Sequence, residues 1–171
     1  KHWEVMPLRH LLSLGPKNGV SPTSSSSGGV LSFSISAVRD GRIRIAGNEK
    51  YVALDAARVT GFSIASGDIL LVRGNGNLAL VAKCGLVEQY PANCIYPDIL
   101  MKIRPNSKMV AEFMVLAINS LYVSNQVPSF AKTTNGTFKI SGASVRSLLV
   151  AVPPLPEQEK ILEDLLRSTA D

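Results

Sequence analysis

Arg73-Gly74-Asn75-Gly76-Asn77 places one guanidinium and two primary amides on a glycine-rich segment. These are the side-chain types that hydrogen-bond guanine and adenine edges in the major groove. Lys132-Thr133-Thr134-Asn135 is a second polar segment, with Lys139 close behind it. Lys17-Asn18-Gly19 has the composition of a phosphate-contacting loop, and also that of a solvated one. In Arg42-Ile43-Arg44-Ile45 the alternation puts both guanidinium groups on one face, either the solvent side of a sheet or a face turned to a phosphate backbone. Taken singly, each segment is accounted for by a solvated turn or strand. Their combination on one chain stands above background.

Catalytic alternatives find little support. Gly74-Asn75-Gly76-Asn77-Leu78-Ala79 fits the G-x-G-x-x-G/A spacing of dinucleotide sites, but that fingerprint needs a helix N-terminus next to meet the pyrophosphate. A leucine-rich strand is predicted there instead, and no acidic residue about 20 positions on stands at a second strand end, the place where a ribose would be bound. No G-x-x-x-x-G-K-[S/T] and no [N/D]-P-P-[Y/F/W] methyltransferase element occurs. His2 and His10 are the only histidines, so a Ser-His-Asp or Cys-His site would have to recruit one of them. Cys84 and Cys94 have no CxxC spacing and read as buried thiols, so no metal site is expected. The Asn135-Gly136-Thr137 sequon and the PxxP of Pro153 to Pro156 are each explained without a modification or an SH3 partner.

The elements that must position these residues follow from patterning. Trp3 to Leu8 is an extended entry, and Arg9 to Leu12 forms one or two helical turns that stop at Gly15-Pro16. Residues 16–29, rich in Ser, Gly and Pro, read as a mobile loop. Val30 to Ile35 and Arg42 to Ile45 alternate as strands, and a less regular stretch runs to Ser66. Ile69 to Arg73 is a continuous apolar run suited to a buried strand, returning as Leu78 to Val87 to make a hairpin with a polar tip. Ile99 to Pro105 is a further strand. Asn106 or Ser107 caps one long helix on which Val110, Phe113, Met114, Ala117, Ile118 and Leu121 recur through about Tyr122. Val127 to Asn135 is a loop, Phe138 to Ile140 and Val150 to Val152 are extended, and Ser144 to Leu149 is a short helix.

The chain divides at its proline run. Residues 1–153 carry sixteen basic and eight acidic residues, a net +8, whereas 154–171 are acidic. Glu157 to Ser168 predicts the start of a longer amphipathic helix, with acids at its positive dipole end and Ile161, Leu162, Leu165 and Leu166 on one face. So narrow a stripe needs a partner, in the same chain or in another. A basic body of 171 residues with 46% apolar composition can build a core and favours a polyanionic partner. The absence of an apolar run of about 18 residues and of a signal-like N-terminus predicts a soluble, cytoplasmic protein.

Four elements taken in order resemble the specificity subunit of type I restriction-modification systems. They are Trp3-Glu4 with Pro7-Leu8, Gly67-Asp68-Ile69-Leu70-Leu71-Val72-Arg73-Gly74-Asn75-Gly76-Asn77, Lys139-Ile140-Ser141, and Val152-Pro153-Pro154-Leu155-Pro156-Glu157-Gln158-Glu159-Lys160-Ile161. The resemblance implies an α/β (α+β) target recognition domain over 1–153, built on a mixed, strongly twisted sheet with few helices, and the start of a spacer and dimerisation helix over 154–171. It further implies non-catalytic reading of one half of a bipartite double-stranded DNA target. Modification subunits would dock on the helix, and a motor-nuclease restriction subunit would complete the complex. The chain itself would need no cofactor, since S-adenosylmethionine, ATP and magnesium belong to those partners. Lys17, Asn18, Arg42, Arg44, Arg73, Asn75, Asn77, Lys132, Thr133, Thr134, Asn135 and Lys139 are then the candidate DNA contacts. Ile161, Leu162, Leu165 and Leu166 are the candidate protein contacts, which leave open a half-length subunit that pairs with a second copy or docks on a modification subunit with only non-specific DNA affinity.

Overall fold

The computed structural model describes residues 2–25 and 28–169. Thirteen strands and six α-helices are defined within them. In chain order they are β1 (Glu4–Pro7), β2 (Leu12–Asn18), β3 (Val30–Phe33), β4 (Val38–Arg39), β5 (Arg42–Ile43), β6 (Glu49–Val52), α1 (Ala56–Phe62), β7 (Ile69–Val72), β8 (Gly74–Asn75), β9 (Cys84–Leu86) and β10 (Leu100–Pro105). They continue as α2 (Ala111–Asn119), α3 (Leu121–Ser124), α4 (Val127–Phe130), β11 (Lys132–Thr134), β12 (Thr137–Lys139), α5 (Gly142–Ser147), β13 (Leu149–Val152) and α6 (Leu155–Ser168).

A six-stranded sheet in the order β2-β10-β7-β9-β5-β4 is the centre of the fold. It is mixed, because β5 pairs parallel with β9 while the other ladders are antiparallel. The apolar run Ile69 to Val72 is β7, in the middle of the sheet and buried on both sides, so it needs no alternation. One face packs under α2 and α5 with Leu8, Ile69, Leu71, Met101, Phe113, Met114 and Val145; the other holds Phe33, Leu70, Val72, Tyr96 and Leu100. Smaller sheets flank it: β1 with β13, β3 with β6, and β11-β12-β8. The mixed α+β architecture with few helices is thus as the sequence predicts.

Several element boundaries differ from the sequence reading. Leu8–His10 is a single 3-10 turn, and the segment expected to stop at Gly15-Pro16 runs on as β2 through a cis Gly15–Pro16 bond. Gly15 has φ +88, and a Cβ there would lie 2.2 Å from the Lys102 carbonyl oxygen, so the strand passes β10 where only glycine fits. Lys17 and Asn18 therefore sit in a ladder and not in a loop; Ser26 and Ser27 of the expected loop lie outside the described residues. Of the expected return strand 78–87, only Cys84–Leu86 pairs, while Leu78–Leu80 is a 3-10 turn. The run is apolar because Val81 and Ala82 enter the core directly after that turn. The long helix breaks at Ser120, whose hydroxyl accepts from Val123 N to start α3, and α4 replaces part of the expected loop.

The two ends of the body are fastened to each other. β1 pairs with β13, the strand that leads into α6. Glu157 in the first turn of α6 accepts from the Trp3 indole Nε1 at 2.9 Å and meets His2 Nε2 at 2.9 Å. These contacts, with His2 first, hold the Glu157 carboxyl below the usual carboxylate range. No helix among the described residues is long and apolar enough to cross a membrane.

Candidate nucleic-acid interface

The hairpin β11–β12 turns at Asn135-Gly136, with φ +49 and +75. Two successive left-handed residues make the tight hairpin turn whose twist suits antiparallel strands, and Asn-Gly is the dipeptide that adopts it most readily. In the hairpin register Lys132 faces Lys139, Thr133 faces Phe138 and Thr134 faces Thr137. β12 then pairs with β8, Phe138 with Asn75 and Lys139 with Gly74. The ladder continues into the core: Ile140 N donates to the Arg73 carbonyl at 2.9 Å, and Arg73 N donates to Ile99 O at 2.8 Å. Two segments far apart in sequence, 73–77 and 132–139, are thereby brought side by side.

Directly paired residues share a face of the sheet, so Lys132, Thr134 and Lys139 stand on one side, and Thr133 and Asn75 on the other with Phe138. The Lys139 stem crosses β8 at Gly74, where a Cβ would lie 3.0 Å from Lys139 Cγ. Like charges directly opposite in a ladder destabilise it. Lys132 and Lys139 are such a pair and are both exposed, and neither has an acidic partner among the described residues.

Arg73 is half-buried at the end of β7, with Nη1 donating to the Asp98 carbonyl at 3.3 Å. Asn75 Oδ1 accepts from Asn77 N at 2.9 Å, and Asn77 Oδ1 accepts from Ala79 N at 3.0 Å, capping the 3-10 turn Leu78–Leu80. The surroundings are poor in acids: residues 5–39, 69–87 and 113–156 contain no Asp or Glu. These stretches supply β2, β7, β8, β11, β12 and α5, which adjoin one another, with Arg146 of α5 donating to Gly15 O at 3.2 Å. Asp98 is the nearby carboxylate, and it accepts from the Ser21 hydroxyl at 2.5 Å.

The remaining sequence-predicted residues are placed elsewhere or are otherwise engaged. Asn18 is exposed at the same end of the sheet as Arg73, opposite Met101. Lys17 pairs with Lys102 in the ladder, but its ammonium donates to the Gly61 carbonyl and lies 5.3 Å from the centre of the Phe62 ring. Arg42 and Arg44 belong to the far edge of the six-stranded sheet, four strand spacings or about 19 Å from β2. Arg42 is ion-paired with Glu88 and Arg44 lies 3.7 Å from Asp40, while Ile43 and Ile45 point into the core. The alternation there builds a sheet edge with a solvated charged face.

Sequence reasoning assigned no role to two polar residues that set this geometry. Asp68 is fully buried before β7 and bonds Arg104 and Ala65 N. Gln158 is fully buried in α6, where Oε1 accepts from Val110 N at 2.9 Å and Nε2 donates to Lys108 O at 2.9 Å and Pro153 O at 2.8 Å. Their signal lay in polar residues set into otherwise apolar or proline-rich runs. On α6, Ile161 and Leu162 pack against the core, whereas Leu165 and Leu166 remain exposed and line an open groove of about 1210 Å³ together with Val115 and Leu116 of α2. Half of the predicted protein-contact stripe is thus used within the chain.

Neither cysteine is placed as an activated nucleophile. Burial pushes the Cys94 thiol up to about 12 and raises that of Cys84 as well, leaving both protonated and poor nucleophiles. Among the described residues no group of three His, Cys, Asp or Glu side chains is placed to hold a metal ion. The 3-10 turn after Gly74-Asn75-Gly76-Asn77 spans three residues and offers no helix N-terminus for a pyrophosphate.

No family model matches the chain. It is 30% identical over 148 residues to the type I restriction enzyme EcoKI specificity subunit of Escherichia coli (strain K12), covering 85% of this chain and 32% of that protein. It is 29% identical over 127 residues to the type I restriction enzyme StySPI specificity subunit of Salmonella potsdam, covering 70% and 26% respectively. Among solved structures, a chain from a study of complex assembly and conformational transition in the type I R-M system matches with TM-score 0.68 at 17% identity, over 98% of this chain and 38% of that one. The HsdS subunit from Thermoanaerobacter tengcongensis matches with TM-score 0.64 at 16% identity, over 96% and 36%. The chain therefore spans about a third of the length of these relatives, and it has the fold of part of them. The resemblance read from its residues is the one that sequence and fold comparison both return.

Proposed function

We propose that this chain is a target recognition portion of a type I restriction specificity subunit. In this reading it is a non-catalytic module that reads one half of a bipartite double-stranded DNA target. The observation that carries the reading is the Lys132–Lys139 pair, two cations with no acidic partner among the described residues, on the small sheet whose strand β8 carries Asn75 on the opposite face. A fold that sets two unpartnered ammonium groups opposite each other gains when a polyanion lies over them, because neutralised phosphates release their counterions. Cations that position the protein on the backbone, next to an amide-bearing loop that reads base edges, form the division of labour expected of a sequence reader. Methylation and cleavage then fall to the modification and restriction subunits, which would hold S-adenosylmethionine, ATP and magnesium.

Selection of a random duplex pool against the chain at two salt concentrations tests this reading. A short motif that persists at the higher salt is expected, on top of non-specific affinity of roughly 10⁻⁴ to 10⁻⁶ M. Retention without any motif, lost steeply with salt, would refute sequence reading and leave only a basic surface.

A second reading is favoured by the groove. Leu165 and Leu166, at 43% and 66% exposure, extend the apolar face of α6 beyond what the body covers. Assembly through this helix, with a second copy or with a modification subunit, would bury them. Sedimentation of the chain across a range of concentrations checks self-association, and a strict monomer at the highest concentration argues against pairing.

A further inference from the structure

We infer that the side chains of the loop Arg73–Asn77 present chiefly hydrogen-bond donors to their target, and so select base pairs by their major-groove acceptors, guanine before the others. This rests on the reading that the chain contacts DNA through this surface, and it specifies what the loop can recognise there.

The argument starts from how the two amides are held. A primary amide carries an acceptor oxygen with two lone pairs and one NH₂ with two donors. At Asn75 the oxygen accepts from Asn77 N, and at Asn77 it accepts from Ala79 N. A backbone N–H can only be met by an acceptor, so neither amide can be turned over without placing donor against donor. Each oxygen therefore has one lone pair committed to its own backbone, while both donors of each NH₂ are left over. Among the described residues nothing accepts from either Nδ2, and none of these atoms is buried without a partner. Asn77 is exposed and Asn75 half-buried, so both NH₂ groups are open to a ligand.

Arg73 completes the set. A guanidinium has no acceptor, and only Nη1 is engaged, by the Asp98 carbonyl. The usual bidentate pairing of asparagine with adenine requires the amide oxygen to accept from N6 while the NH₂ donates to N7. The capping bonds hold each oxygen at its own backbone with one lone pair left, so Asn75 and Asn77 offer the donor half of that mode more readily than the acceptor half. Guanine offers two adjacent acceptors, N7 and O6, and is the base edge that a donor-rich set of side chains satisfies best; thymine offers O4 alone, and cytosine presents a donor.

Isosteric exchange of donor for acceptor tests this. Asn75→Asp with Asn77→Asp keeps the oxygen that caps each backbone N–H and replaces the outward NH₂ by an acceptor. Asn75→Ser with Asn77→Ser keeps a capping oxygen and replaces each outward NH₂ by a shorter hydroxyl with a single hydrogen, too short to reach where the amide does. The motif is first selected with the unaltered chain, and binding is then measured by fluorescence anisotropy at fixed salt on that duplex and on one carrying 7-deazaguanine. The expected results are a guanine-containing motif and a loss of roughly tenfold or more when N7 is removed. Both double variants should lose the preference for guanine, the aspartates also weakening binding overall, with unfolding midpoints unchanged. If the chain selects a motif that the serine variant reads equally well, or that survives loss of N7, donor-led reading by this loop is refuted while sequence reading stands. Absence of any motif refutes both.

Discussion

Asp68 shows how a single buried charge fixes the start of the central strand. It has 0% exposure; Oδ1 accepts from Arg104 Nε at 2.8 Å, and Oδ2 accepts from Ala65 N at 2.8 Å and lies 3.8 Å from Lys102 Nζ. Lys102 is itself buried, donating to Ser63 O at 2.8 Å and lying 5.4 Å from the centre of the Tyr96 ring. Burial draws the Lys102 ammonium below the usual lysine range, against the opposing pull of Asp68. Removing the carboxylate in Asp68→Ala leaves that ammonium without its counter-charge, and the loss of a buried partner costs about 3–5 kcal/mol. Urea unfolding should show a lower midpoint at unchanged slope, with Asp68→Asn intermediate because it keeps the bond from Ala65 N. The sign with pH follows from linkage. A lysine whose folded pKa is lowered binds fewer protons folded than unfolded, so its contribution to stability rises with pH up to the ordinary value of 10.5. Without Asp68 the Lys102 pKa falls further, so the gap between variant and native protein should narrow as pH climbs toward that value. A gap independent of pH would show that Lys102 does not feel Asp68.

The element held by one side chain is α6. Gln158 bonds three backbone groups, Val110 N, Lys108 O and Pro153 O, and thereby clamps the helix to the loop before α2 and to the end of β13. Gln158→Ala leaves these groups facing an apolar methyl. At about 1–3 kcal/mol for each buried group left unpaired, the loss is enough to undock the helix while the sheet survives. Hydrogen exchange should then show α6 amides losing protection and β7 and β10 amides keeping theirs; equal loss everywhere would contradict the clamp. Elements of this kind bound what the sequence makes legible. β7 is readable because an uninterrupted apolar run admits few other placements, β10 because its mostly apolar run is stopped by Pro105, and the α6 stripe because its period is 3.6. β2 is not readable, since its identity depends on a close approach of Gly15 to β10 that no local pattern encodes. The site shows the same division: Asn135-Gly136 is a turn signal visible in the sequence, but the pairing of β12 with β8, which unites Lys139 with Arg73 and Asn75, is long-range.

Across the whole molecule the charge is separated. The stretches that supply β2, β8, β11, β12 and α5 hold no acid, Asp98 being the carboxylate near them, whereas Glu157, Glu159, Glu163 and Asp164 gather on α6. A polyanion approaching this chain is drawn to the first surface and repelled by the second, which leaves α6 available for protein contacts. The separation has a measurable consequence, because each phosphate neutralised on duplex DNA adds about 0.9 to the slope of log affinity against log salt. If Lys132 and Lys139 each meet a phosphate, replacing both by alanine should lower that slope by about 2 and weaken binding to every duplex alike. Arg42→Ala with Arg44→Ala, on the far edge and already ion-paired, should leave the slope where it was. Binding titrations across a salt series decide between the two surfaces. A slope that responds to the arginines and not to the lysines would move the DNA to the opposite edge of the sheet, and with it the assignment of the loop 73–77 as the reading element.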